Sequence, residues 1–283
     1  MRNIVSLEWL YEHLQDPDLL IADCRFALGE PWSGRQDYSI DHIPGAFYVD
    51  LEEDMSGEKR EHGGRHPLPD LGAFSMRASA IGVNASKTVV AYDDQGGAMA
   101  ARLWWMLRFL GHERVYVLDR GYSQWKAAGY PVTAEAPQAS PATFSPKVQR
   151  HMLASMDEVK AKLGEKGTVL IDSREGARYR GEQEAIDPVA GHIPGARNRF
   201  WKDALDAEGS WRSAEEQKER FRGLENAEEL IVYCGSGVTA CPNVLALEEA
   251  GIPGVKLYAG SWSDWISYEE NPVAVGEEEK EKA

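Results

Sequence analysis

The sequence predicts an α/β protein of two tandem domains, each a mostly parallel sheet with helices on both faces. Its 283 residues exceed the roughly 100–200 residues of an ordinary single domain, and each half is long enough to bury its own core. Two sets of motifs recur about 150 residues apart. Short apolar runs alternate with stretches of helical periodicity, the pattern of parallel strands joined by crossover helices.

The repeat runs through most of the chain. Leu20-Ile-Ala-Asp23-Cys-Arg25 matches Leu170-Ile-Asp172-Ser-Arg174, and His42-Ile-Pro-Gly-Ala46 returns as His192-Ile-Pro-Gly-Ala196. Further on, Thr88-Val-Val-Ala-Tyr92-Asp93 aligns with Leu230-Ile-Val-Tyr233-Cys234, and Tyr122-Ser-Gln-Trp125 with Trp262-Ser-Asp-Trp265. Residues 168–171, 230–233 and 255–258 read as buried strands. Residues 98–110 place apolar side chains at helical spacing and stop at Gly111, while 239–250 stop at Gly251 with Pro253 beyond. A stretch rich in Pro, Ala and polar residues separates the copies. The expected boundaries are a first domain at 1–136, a linker at 137–150, a second domain at 151–276 and an acidic tail at 277–283. The tail's charge run, beginning at Gly276, reads as a solvated, frayed end.

Composition excludes several classes of function. Hydrophobic residues make up 43% and charged residues 27%, an ordinary globular profile. No apolar run approaches the roughly 18 residues of a membrane span, and the first residues carry acids without a signal-peptide core, so a cytoplasmic location is expected. A formal charge of −15 disfavours nucleic acid and anionic membranes as partners, because phosphate binding relies on clustered Lys and Arg. Cys24, Cys234 and Cys241 are too few for a disulfide framework and suit a reducing compartment.

The segment that carries chemistry runs from Leu230 to Ala240: an apolar strand, then Cys234-Gly235-Ser236-Gly237-Val238-Thr239, then a helix. Ligands in such folds collect at the carboxyl ends of parallel strands. Two glycines let the loop curl and turn its N–H groups inward, and the helix N-terminus adds to a field that favours a thiolate. Such a thiolate could attack sulfur, attack phosphorus or bind metal. Metal is disfavoured because no Cys or His pair lies at ligand spacing. Phosphoryl chemistry would want a cation closing the loop, where Thr239 and Ala240 stand. Sulfur is the preferred reading.

The tandem copies, both His-Ile-Pro-Gly-Ala segments, the Cys234 loop and Gly260-Ser-Trp-Ser-Asp-Trp265 together resemble the two-domain rhodanese family over almost the whole chain. The loop is similar to that of the 3-mercaptopyruvate sulfurtransferases; thiosulfate-specific members often carry basic positions directly after the cysteine, where Gly235 and Ser236 are uncharged. The resemblance implies two tandem rhodanese-like domains, the first inactive because Asp93 occupies the cysteine position. It also implies a sulfurtransferase that takes sulfur from 3-mercaptopyruvate onto Cys234 as a persulfide and passes it to a thiol or to cyanide, with no metal or organic cofactor. The implied partners are a small anionic sulfur donor and an acceptor such as a thioredoxin-like protein or a low-molecular-weight thiol. Thiosulfate as donor, and a persulfide relay without turnover of a small molecule, are the alternatives.

Around Cys234 the resemblance assigns Ser236 to proton relay or substrate orientation, and Arg178 to the donor carboxylate, which a guanidinium fork suits. Gly235, Gly237, Val238 and Thr239 complete the substrate loop. The residues from Gly181 to Pro188 lack the second arginine that those enzymes carry, which bears on donor choice. His42 is a candidate for an interdomain contribution, although its repeat at His192 speaks equally for a structural role. Arg65 and His66 are candidates for lining the site entrance, with a solvated basic loop the favoured reading; Trp262 and Trp265 read as core anchors, Cys241 as a core residue with an option on redox chemistry, and Cys24 as packing.

Overall fold

The computed structural model describes residues 3–278. It divides into two compact units. Unit 1 takes in the chain up to Gly57 with Leu68–Arg150 and Leu205–Trp211, and unit 2 takes in Glu58–Pro67, His151–Ala204 and the chain from Arg212 onward.

In unit 1 the strands are β1 (Ile4–Val5), β2 (Leu19–Asp23), β3 (Ala46–Tyr48), β4 (Thr88–Tyr92) and β5 (Val115–Leu118), and the helices are α1 (Leu7–Glu12), α2 (Ser33–Ile40), α3 (Leu71–Ala80), α4 (Ala98–Phe109) and α5 (Tyr122–Ala127). Unit 2 follows with β6 (Leu153–Ala154), β7 (Thr168–Asp172), β8 (Arg197–Asn198), β9 (Glu229–Tyr233) and β10 (Lys256–Tyr258), and with α6 (Met156–Ala161), α7 (Gly176–Tyr179), α8 (Ala214–Arg220), α9 (Cys241–Glu249) and α10 (Ser261–Trp265). The sheet orders are β1-β5-β4-β2-β3 and β6-β10-β9-β7-β8, so the second sheet repeats the first strand for strand. All pairings are parallel.

The repeated motifs are the repeated joints of this architecture. Asp23 and Arg25 form a buried pair at the end of β2, and Asp172 and Arg174 form its counterpart at the end of β7. In each, a carboxylate that burial would penalise is held by a charge-assisted fork. His42 stacks on Tyr38 and His192 on Tyr179, both with ring centroids 3.9 Å apart, and each Nδ1 lies 2.8 Å from that tyrosine's carbonyl oxygen. The glycine of each His-Ile-Pro-Gly-Ala turn has φ near +80° (Gly45 82°, Gly195 80°), which explains its recurrence. Trp125 and Trp265 lie in the cores of units 1 and 2, each donating its indole N–H to a carbonyl, of Pro131 and Pro272 respectively.

Three expectations need correction. The domains are not contiguous at residues 58–67 and 205–211, which belong to the opposite unit from their sequence neighbours. The segment 137–150, expected as a linker, belongs to unit 1: Ala142, Lys147 and Gln149 donate their N–H groups to the carbonyls of Ser79, Leu110 and Phe109, and Phe144 is buried. The start of the tail is not frayed, since Gly276 N–H donates to the Arg180 carbonyl, Glu277 pairs with Arg180, and Glu278 accepts the Gly195 N–H at 2.7 Å. Residues 279–283 of that tail lie outside the described residues.

Candidate active site

The site begins where β9 ends. Tyr233 closes the strand, Cys234 leaves it, and the loop runs through Ala240 before α9 starts at Cys241, two residues later than the periodicity suggests. Cys234 is held at both backbone atoms: its N–H donates to Ser261 Oγ (3.1 Å), and its carbonyl accepts from Trp262 N–H (3.0 Å). Ser261 is buried at φ +57°, a left-handed conformation that costs a non-glycine residue about 1–3 kcal/mol. That strain is compensated by the hydroxyl, which also donates to the Tyr258 carbonyl (2.9 Å) and so ties the loop to β10.

The thiol faces into its own loop. Gly237 N–H points at Cys234 Sγ from 3.1 Å, and Cys234 is 1% exposed. Gly237 has φ +78°, and a side chain there would run into the Ala259 carbonyl, so the loop requires glycine on two counts. A backbone N–H aimed at a buried sulfur is the kind of donor that supports negative charge developing there.

Unit 1 shows what such a loop holds. Asp93 stands at the corresponding place after β4, and its carboxylate accepts the N–H groups of Gln95, Gly97, Met99 and Ala100 at 2.8–3.0 Å. Burial still pushes the Asp93 carboxyl above its usual range, against the pull of those four donors. The loop of the first copy is occupied by its own side chain and exposes no nucleophile.

Ser236 is buried, and its Oγ lies 2.8 Å from His66 Nδ1. His66 is 5% exposed, so it is not part of a solvated loop. Its segment is fastened to unit 2 by the residues that lie between the two tryptophans of α10 and just beyond them. Gly63 N–H donates to Asp264 Oδ1 (2.6 Å), Arg65 N–H donates to Ser263 Oγ (3.1 Å), and His62 lies 2.8 Å from Ser267 Oγ while stacking on Tyr268. Their recurrence in the first copy assigned the tryptophans of Trp-Ser-Asp-Trp to the core but left Ser263 and Asp264 without a task. This fastening is their task.

Arg178 also reaches the loop. Its Nε and Nη2 donate to Glu184 (3.0 and 2.8 Å), and Nη2 donates to Asp187 (3.0 Å). Arg65 pairs with Asp187 from the other side. A Cβ on Gly235 would stand 2.9 Å from Arg65 Nη2 and 3.7 Å from both terminal nitrogens of Arg178, so the guanidinium groups flank the residue next to the thiol.

Of the residues expected from sequence, Cys234, Gly235, Ser236, Gly237 and Arg178 are thus brought together. Val238 is buried and accepts the Cys241 N–H through its carbonyl, and Thr239 is half-buried at the turn into α9. His42 is fully buried in unit 1, its Nδ1 on the Tyr38 carbonyl and its Nε2 3.2 Å from the Glu135 carbonyl, so both ring nitrogens are engaged by unit 1 backbone. Cys241 is buried with Sγ donating to the Gly237 carbonyl (3.4 Å), and burial raises the Cys24 thiol well above its usual range.

Fold and site define a duplicated α/β domain in which one copy carries, at the end of a central strand, a buried thiol with a backbone N–H aimed at its sulfur. The model of the rhodanese-like domain matches residues 6–128 and again 155–268. The probable 3-mercaptopyruvate sulfurtransferase of Pseudomonas aeruginosa is 44% identical over 279 residues, covering 97% of this chain and 98% of that protein. The thiosulfate sulfurtransferase of Rattus norvegicus is 34% identical, covering 94% and 92%. The crystal structure of a 3-mercaptopyruvate sulfurtransferase from Escherichia coli superposes with a TM-score of 0.83 at 34% identity, covering 93% of this chain and all of that one. The chain belongs to the rhodanese family, as two rhodanese-like domains in tandem.

Proposed function

We propose that the protein is a sulfurtransferase that moves sulfane sulfur from 3-mercaptopyruvate to a thiol or cyanide acceptor through a persulfide on Cys234. The observation that carries this reading is the convergence, on one loop, of a buried thiol, a Ser236–His66 pair and an arginine suited to a carboxylate. The Cys234 thiolate attacks the donor sulfur. The carbon–sulfur bond breaks, its electron pair stays on carbon as the enolate of pyruvate, and protonation of that carbon releases pyruvate. Ser236, hydrogen-bonded to His66, stands one residue from the reacting cysteine's neighbour and is the natural route for that proton. In the second half, an acceptor thiolate attacks the outer sulfur of the persulfide and the Cys234 thiolate departs. Throughout, the N–H of Gly237 supports negative charge on sulfur without reorganising.

An anionic donor explains why an acidic chain gathers arginines at this loop. Thiosulfate is the competing donor, and the thiosulfate sulfurtransferase among the relatives keeps it in play. Among the described residues no helix is long and apolar enough to cross a membrane, and the absence of a disulfide among the three cysteines fits a cytoplasmic enzyme that uses a cellular thiol, thioredoxin-like or of low molecular weight, as acceptor. Steady-state kcat/KM with each donor, cyanide as acceptor, tests the assignment. Preference for 3-mercaptopyruvate by at least tenfold, about 1.4 kcal/mol at the transition state, is expected; a preference for thiosulfate would transfer the assignment to that donor.

A further inference from the structure

Residues 181–188, which follow Arg178, contain no further arginine. The chain supplies a second guanidinium from elsewhere. Arg65 arrives on the segment Glu58–Pro67, which belongs to unit 2 and is fixed there by Asp264 and Ser263. Its Nη1 is engaged by Asp187, its Nε is buried with no partner among the described residues, and its Nη2 lies against Gly235. Arg178 has the same construction: Nε and Nη2 are tethered by Glu184 and Asp187, and Nη1 is turned to the same point above Gly235.

Resting on the sulfurtransferase reading, we propose that Arg65 is a donor-binding residue that, with Arg178, forms a two-arginine clamp for the α-keto carboxylate. Two planar cations tethered through one shared aspartate cannot swing away from each other, and each presents an N–H edge to the residue beside the nucleophile. Carboxylate recognition needs two donors at fixed separation, and these edges supply them. Asp187 and Glu184 offset the like-charge repulsion of the clamp when no donor is bound. Burial lowers the Arg65 guanidinium from its ordinary range, Cys234 pulls it back up, and Arg178 adds to the lowering, which places all three groups in one electrostatic neighbourhood. Gly235 is part of the design, since a side chain there would displace Arg65 Nη2.

Equilibrium binding of pyruvate by titration calorimetry, alongside turnover of 3-mercaptopyruvate, tests this on the full chain. Arg65→Gln is expected to weaken pyruvate about tenfold and to raise KM for 3-mercaptopyruvate by a similar factor, with kcat within about threefold of wild type. Arg65→Lys, which keeps charge without the fork, should fall between the two, and it stands in for the glutamine variant if that one does not fold. Unchanged pyruvate affinity in either variant, or a loss confined to kcat, would overturn the clamp. Wild-type protein that binds pyruvate through Arg65 but does not turn over 3-mercaptopyruvate would instead sink the donor assignment and leave the clamp standing.

Discussion

Cys234 is buried and sits within hydrogen-bond reach of a backbone N–H, so its reactivity rests on a few fixed groups rather than on solvent. Ser236 and His66 act in this picture as one unit, since either alone leaves the other's polar atom without its partner. Ser236→Ala should lower kcat about 100-fold, the scale of a positioned proton donor. Adding His66→Ala should lower it little further, because the two substitutions remove the same device. Multiplicative losses in the double variant would show that the residues work separately. The sequence offered His66 only as part of a basic segment at a site entrance: it stands 170 positions from Ser236 in a loop without periodicity, and only the folded chain pairs it with the serine.

At the scale of elements, the two strand-to-helix loops are one design with two fillings. In unit 1 the filling is the Asp93 carboxylate, in unit 2 the Cys234 sulfur. The position was legible from the strand alignment, and so was the consequence that the first copy lacks a nucleophile. What alignment could not supply was that four N–H groups would converge on Asp93. Asp93→Asn turns an NH2 group toward donors that need acceptors, and a destabilisation of about 1–3 kcal/mol is expected. Burial raises the native Asp93 carboxyl above its unfolded value, so between the two values the native state holds more protons and stability falls as pH rises through the window. Urea unfolding should therefore show the wild type gaining stability over Asp93→Asn as pH is lowered from 7 toward the acid side of that window. A difference independent of pH would contradict the assigned shift.

For the whole molecule, the duplication was legible because its joints are made of short, chemically specific motifs. A buried Asp–Arg pair and a stacked histidine each need particular residue types, and both copies kept them. The same logic applies to His42, whose part in the repeat was visible and whose two carbonyl contacts were not. Domain boundaries were less legible: residues 58–67 and 205–211 change units through loop hydrogen bonds such as Gly63 to Asp264 and Trp211 to Asp119, which leave no periodic trace. Since that exchange delivers Arg65 and His66, the least regular part of the chain carries much of the candidate chemistry.

The central claim, that sulfur is carried on Cys234, is tested most directly by the intact mass of the reduced protein after incubation with 3-mercaptopyruvate, compared with Cys234→Ser. The wild type should gain one sulfur atom, reversed by cyanide with formation of thiocyanate, and the variant should gain none. A wild-type mass that does not change, or a gain that survives in Cys234→Ser, would contradict it.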